Sequence, residues 1–216
     1  MNDSESKMIT LPMFPLGSVI FPESLFTLRV FEPRYLELVK ECVITGGGFG
    51  VCLIAKGHEV GGGDERYEFG TISEILQVIE IGSGQLAINC VGRKRFRVLK
   101  WLEDNPYPKA VVEIEEVDDS QLVEKEQIDE LRPVVLKITD TVFELSGIRQ
   151  DKPIPSSENI IEDMYHLAEH SYLGSYDRYK VLSSETLEAR FNLLCQLLED
   201  LDEIYTGELK LRSQTD

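Results

Sequence analysis

Groups that carry covalent or metal chemistry are scarce in this chain. Histidine occurs three times (His58, His166, His170) and cysteine four times (Cys42, Cys52, Cys90, Cys195), with no C-x-x-C pair. His166 and His170 stand four apart on an expected helix, with Glu162 and Glu169 near them. The third histidine, His58, is far from them in sequence and no paired cysteine accompanies them to finish a tetrahedron. With Tyr165 and Glu169 they read more simply as the wet side of that helix, so no metal and no cofactor is expected. The G-x-x-x-x-G-K-[ST] loop that cradles nucleotide phosphates is missing. Gly46 to Gly50 (GGGFG) lacks the G-x-G-x-x-G spacing and reads as a helix stop leading into a strand. No G-x-S-x-G elbow occurs either. These gaps point away from an ATPase or a serine hydrolase.

Further absences bear on location. No apolar run approaches the roughly 18 residues that a membrane helix requires. The start, MNDSESKM, is polar and has no apolar stretch behind a basic one, so no signal peptide is expected. The cysteines are scattered, three of them in apolar runs where a free thiol behaves as a small hydrophobe. A reducing compartment fits that usage, and a cytoplasmic protein is expected.

Positive charge is also in short supply. Against 39 acidic residues stand 22 basic ones, a formal charge of −17. Through Asp118 there are 12 Lys/Arg and 18 Asp/Glu, net −6; the remainder has 10 and 21, net −11. Nucleic-acid affinity depends on neutralising phosphates, so this balance argues against that partner. Carboxylate runs such as Glu113/Glu115/Glu116 and Glu199/Asp200/Asp202/Glu203 read as solvated faces.

What the chain does have is an apolar ribbon punctuated by proline, LPMFPLGSVIFPESLFTLRVFEPRY, from Leu11 to Tyr35. Pro12, Pro15 and Pro22 lack a backbone donor and fix φ at about −65°, which excludes a long helix. Each also pushes the preceding residue toward extended geometry. Short bent strands lining a compact β-structure are the consequence. Pro33, by contrast, suits the first position of a helix, where no donor is required. This ribbon, running into "FEPRYLELV", resembles the opening of the Lon N-terminal domain, the substrate-recognition module of the ATP-dependent Lon protease. It is most similar to the bacterial stand-alone version of that domain. Phe69 to Leu99 is similar to the family's "GT-x-x-x-I … G-x-x-R" strand pair through Gly70, Thr71, Ile75, Gly92, Arg95 and Phe96. A looser similarity lies at Leu187 to Leu201.

Along the chain, Tyr35, Leu36, Val39 and Val43 have helical spacing, closed by Gly46-Gly47-Gly48. Strands are expected over 49–55, 71–81, 86–91, 94–102 and 110–117, with a hairpin turn at Gly82-Ser83-Gly84. Leu86, Ile88 and Cys90 alternate with Ala87 and Asn89, as a half-buried strand demands. Six or seven strands hide their edges most simply in a small, partly closed barrel. From Asp118 the periodicity becomes helical. Asp119 or Ser120 is a candidate cap, and Leu131, Val135, Ile138, Val142 and Leu145 form an apolar stripe that Pro133 should kink or restart. Further helices are expected over 157–170 and 184–205, with 171–180 irregular. The expected fold is α+β, a β pseudo-barrel with one inserted helix over 8–118 followed by an α-helical bundle over 119–206 and a frayed tail at 207–216. The resemblance implies the same architecture, with a PUA-like barrel.

Eight residues stand out as candidate partner contacts: Arg34, Tyr35, His58, Arg66, Tyr67, Arg93, Arg95 and Arg97. The segment from Gly57 to Tyr67 is glycine-rich and polar, the composition of a mobile binding loop. Arg93, Arg95 and Arg97 are expected on one strand face, where forked hydrogen bonds suit a carboxylate or phosphate. The simpler reading is ion pairing with the protein's own acids, Glu113 or Glu115 for instance. Arg34 has the same two readings, with Glu32 as its candidate partner.

The resemblance implies a non-catalytic module that binds polypeptide clients, or a protease or chaperone partner, in protein quality control. That would require an exposed apolar patch, for which Phe14, Phe21, Leu25 and Phe26 are candidates against a core-packing role. The alternatives are a PUA-like nucleic-acid-binding protein and a small-ligand-binding barrel.

Overall fold

In the computed structural model, which describes residues 7–59, 62–115, 123–148 and 153–214, the apolar ribbon is a pair of strands joined by a bent connection. The chain divides into two compact units, Met1–Glu116 and Val117–Asp216. In the first, β1 (Lys7–Leu16) changes neighbours midway. Its residues up to Pro12 pair antiparallel with β6 (Lys109–Ile114), and those from Met13 pair parallel with β3 (Phe49–Lys56). Pro12 is the last rung beside β6, where a missing donor interrupts no later rung.

The sheet order is β2 (Leu25–Val30), β5 (Gln85–Trp101), β4 (Glu65–Gly82), β3, β1, β6. β5 also pairs with β6, so five strands return on themselves as a closed ring of hydrogen-bonded neighbours. β2 lies outside the ring against Leu86–Val91 of β5. The sequence predicts six or seven strands and one inserted helix, and six strands with one helix are present among the described residues of this unit. The inserted helix α1 (Pro33–Thr45) has Pro33 in its first turn and closes at Gly46, whose φ of 67° only glycine adopts cheaply. It buries Tyr35, Leu38, Val39 and Cys42 against Ile88 and Cys90 of β5 and Phe14 of β1. A second core fills the other end of the ring with Met13, Cys52, Phe96, Val98 and Val112.

β5 departs from expectation. The sequence suggests two strands broken near Gly92, but β5 is one strand of 17 residues. The break is a bulge: Ser73 pairs with Gly92 and Thr71 with Arg95, so Arg93 and Lys94 together oppose the single residue Ile72. A bulge bends the strand without ending it.

The second unit is helical. α2 (Lys125–Ser146) starts with a reciprocal capping box between Glu124 and Gln127; the expected caps Asp119 and Ser120 lie outside the described residues. Pro133 is expected to kink or restart the helix; α2 runs through it without a restart. One lost hydrogen bond is offset by burial of Ile128, Val135 and Ile138 on the same helix. α3 (Ile160–Glu169) is buried on more than one face, and Tyr165 is in the core, not on a wet side. The stretch read as irregular contains a helix, α4 (Ser175–Ser183). Its polar first turns hide the periodicity, and Val181 and Leu182 anchor its end. α5 (Leu187–Ser213) extends beyond the expected end through Gly207. Arg212 holds that end, donating to the Leu145 carbonyl at 2.5 Å and pairing with Glu208 at 3.1 Å.

Two buried charges organise these helices, and neither was visible in the sequence pattern. Asp163, fully buried on α3, meets Lys125 and Arg132 of α2 at 2.5 Å each and accepts from the Ser157 amide at 3.3 Å. Arg190, fully buried on α5, donates to the carbonyls of Val181 (3.0 Å) and Ser184 (2.7 Å) at the end of α4. No described helix is long and apolar enough to cross a membrane.

Candidate functional site

The candidate residues fall into separate groups in the first unit. Arg34, at the start of α1, lies 3.1 Å from Glu32 and 4.6 Å above the Tyr35 ring. Tyr35 is buried and stacks on Phe14 at 4.0 Å; burial pushes its phenol up to about 12. Arg66, at the start of β4, pairs with Asp64 at 2.5 Å and Asp104 at 2.7 Å and lies 4.7 Å over Trp101. Burial alone would raise the Asp64 carboxyl, but the Arg66 hydrogen bonds outweigh it and hold Asp64 below its usual range. The segment from Gly57 to Tyr67 is therefore tied at several points. The Gly17 amide donates to Glu59 at 2.5 Å, and Gly62 packs so closely on Arg34 that a Cβ there would lie 2.8 Å from a guanidinium nitrogen. His58 is exposed and Tyr67 half-buried; Val60 and Gly61 lie outside the described residues.

Arg93, Arg95 and Arg97 do not form a row. The bulge puts Arg95 and Arg97 on the face of Gly92, while Arg93 faces with Ile72. Arg93 meets Glu74 at 2.8 Å and Glu23 at 3.4 Å. Arg95, buried, meets Glu115 at 2.5 Å. Arg97 lies 3.8 Å from Glu68 and opposite Glu113 in the ladder. Arg95 and Arg97 flank the Phe69 ring at 5.5 and 5.7 Å. Each candidate arginine thus has an acidic partner within the protein. Among the described residues no cluster of three metal-ligating side chains occurs. His170 Nδ1 instead lies 2.8 Å from the His166 carbonyl oxygen.

An uncovered apolar surface lies elsewhere, on the arm formed by the outer half of β4, the first half of β5 and β2. A second register shift makes Ile75 and Leu76 together oppose Cys90, after which Val78 opposes Ile88. Leu76 and Val78 therefore belong to the same face as Ile88 and Cys90, which α1 covers completely. Cover on the β4 side ends at Ile75, which packs against the α1 core: Leu76 is 52% exposed and Val78 39%. Ile79 (41%) is uncovered on the opposite side of the strand, and Ile81 (47%) is uncovered at a further register shift between Glu80 and Gly82. Of the ribbon residues, Phe14 and Phe21 are core, Phe26 is packed against it, and Leu25 is exposed. The signal for the arm was present in the run ILQVIEI, which is apolar on both strand faces. A hairpin strand with one wet side would alternate.

A family model described as the ATP-dependent protease La (LON) substrate-binding domain matches residues 10–200. The chain belongs to the Lon substrate-binding domain family. It is 27% identical over 215 residues to a Lon protease of Anaeromyxobacter dehalogenans, covering 95% of this chain and 24% of that protein. Lon protease 2 of Myxococcus xanthus is likewise 27% identical, with 95% and 25% covered. The chain thus spans about a quarter of the length of these curated relatives. Among solved structures, a Lon N-terminal domain protein from Xanthomonas campestris superposes with a TM-score of 0.61 at 30% identity, covering 88% of this chain and 98% of its own. The N-terminal domain of Mycobacterium avium complex Lon protease has the same fold at 17% identity, TM-score 0.61, with 89% of this chain and 99% of its own covered.

The Lon-domain motif positions act structurally here. Thr71 donates to the Ile20 carbonyl at 2.6 Å, the Glu23 amide to the Gly92 carbonyl at 2.9 Å, and the Gly92 amide to the Ser24 carbonyl at 2.9 Å. A Cβ on Gly92 would lie 2.3 Å from the Phe21 carbonyl oxygen, and one on Gly70 would lie 2.2 Å from that of Val51. These residues lash the connection between β1 and β2 onto the β5 bulge.

Proposed function

We propose that this chain is a non-catalytic polypeptide-recognition module that binds apolar segments of unfolded proteins at the β4–β5 arm. In the cytoplasm it would act as a client-binding or adaptor protein in quality control. The observation that carries the reading is the face shared by Leu76, Val78, Ile88 and Cys90, whose outer margin α1 leaves open. An apolar strip continuous with a core gains free energy from any apolar partner laid along it, at about 25 cal/mol per Å² removed from water. Membership of the Lon substrate-binding domain family supports the same reading. Phosphate-bearing partners are disfavoured by the −17 charge and by the internal pairing of Arg93, Arg95 and Arg97. In this reading the candidate residues Arg34, Tyr35, Arg66, Arg93, Arg95 and Arg97 brace the ring that carries the arm, while His58 and Tyr67 lie at the end of β4 away from the arm and are not among its contacts.

The test is a fluorescence-anisotropy titration with a reduced, alkylated and therefore permanently unfolded protein, set against the same protein folded. The unfolded form should bind, and the double substitution Leu76→Ser/Val78→Ser should weaken binding about tenfold, or about 1.4 kcal/mol. Equal affinity for both forms, or RNA binding that falls steeply with salt, would contradict the reading.

A further inference from the structure

The outer half of β4 has a strand on one side only. Residues up to Ser73 lie between β3 and β5, but from Glu74 to Gly82 the sole neighbouring strand among the described residues is β5. Such an edge presents alternating amide donors and carbonyl acceptors. Natural edges are usually blunted by proline, lysine or strong twisting. The stretch from Ile75 to Ile81 has no proline and no lysine, only the register shifts at Leu76 and Ile81 and one charge, Glu80. Glu80 makes no ion pair among the described residues, whereas Glu74 is engaged by Arg93.

An extended backbone is the occupant that such a row of donors and acceptors selects. Two candidates supply one: a second copy of β4 or a foreign chain. Antiparallel self-pairing centred on Gln77 would set Glu74 opposite Glu80 of the other copy, and each copy brings a charge of −17. Like charges directly opposite are destabilising in a sheet. A foreign segment carrying a basic residue opposite Glu80 has the reverse effect. Its alternate side chains would extend the Leu76/Val78 face on one side and meet Ile79 on the other.

We propose that β4 takes up a client segment as an added strand along Ile75–Ile81, selecting apolar side chains in alternation and a basic residue beside Glu80. The inference rests on the polypeptide-recognition reading and specifies its geometry.

The probe is a fluorescein-labelled ten-residue peptide alternating valine with threonine and bearing a lysine at each end, titrated into the full chain. Its twin is N-methylated through the six central residues, which removes backbone donors and keeps every side chain and charge. The unmodified peptide should bind at least about tenfold more tightly than the twin, and the amides of residues 75–81 should exchange about tenfold more slowly in its complex. Glu80→Lys should weaken the lysine peptide several-fold and favour one with glutamate ends. Equal affinity of the twins, or protection confined to other residues, overturns strand addition even where unfolded protein still binds. Failure of the peptide alone, with the unfolded protein bound, overturns it too; failure of both removes the functional reading itself.

Discussion

Gly92→Ala tests the lashing of the ribbon to the bulge. The new methyl would lie 2.3 Å from the Phe21 carbonyl oxygen, a backbone atom that no rotamer change can move. The connection between β1 and β2 must therefore lift away. In lifting it loses the two 2.9 Å hydrogen bonds that Gly92 exchanges with Glu23 and Ser24. A net hydrogen bond contributes about 0.5–1.5 kcal/mol, and a buried group left unsatisfied costs about 1–3 kcal/mol. Together these set a loss of about 2–4 kcal/mol, a large part of the roughly 5–15 kcal/mol that holds an ordinary domain folded. The single tryptophan, Trp101, lies in β5 and so reports on this unit alone. Urea unfolding followed by its emission should show the midpoint falling by about 1.3–2.7 M for a denaturant slope of about 1.5 kcal/mol/M. A midpoint within about 0.3 M of the parent, with the slope unchanged, would refute the reasoning.

Other perturbations have definite signs. Asp163→Asn removes a buried charge from two ion pairs and should destabilise the helical unit by about 2–4 kcal/mol by urea-monitored circular dichroism. Burial tends to raise the Asp163 carboxyl, but Lys125 and then Arg132 pull it below its unfolded value of about 3.9. Its stabilisation is therefore complete above that value and lost as pH falls through the lower folded value, a loss the Asn variant should not show. Gly207→Ala places a methyl in open space inside α5 and should stabilise the same unit by about 0.5–1 kcal/mol in the same assay. Burial pushes the thiol of Cys42 up to about 11 and those of Cys52 and Cys90 up to about 12, so a thiol reagent at pH 8 should leave these three unmodified in the native protein and react with all four after unfolding.

Much of the fold could be read from local chemistry. Proline at 12, 15 and 22 excluded helix, Pro33 and Gly46 bracketed α1, and the alternation of Leu86, Ile88 and Cys90 marked the buried face of β5. What escaped was set by contacts distant in sequence. The bulge at Arg93–Lys94 lies beside the close approach of Gly92 to Phe21, a contact no local pattern encodes, and it leaves only two of the three arginines on one face. α4 has too little apolar periodicity to announce itself and is held from outside by Arg190. The ion pairs of Arg66 join Asp64 and Asp104 across a gap no spacing rule spans. The arm was hidden for a related reason. An apolar run reads as core until cover, here by the core around α1, is seen to end at Ile75.

The central claim is that the outer half of β4 is where another polypeptide is held. A photo-crosslinker placed at position 79 of the full chain, irradiated with a reduced and alkylated protein, tests it most directly. Capture should be strong there and weak with the crosslinker at position 136, an equally exposed apolar site on α2. Equal capture at the two positions, or capture at 136 alone, would contradict the account.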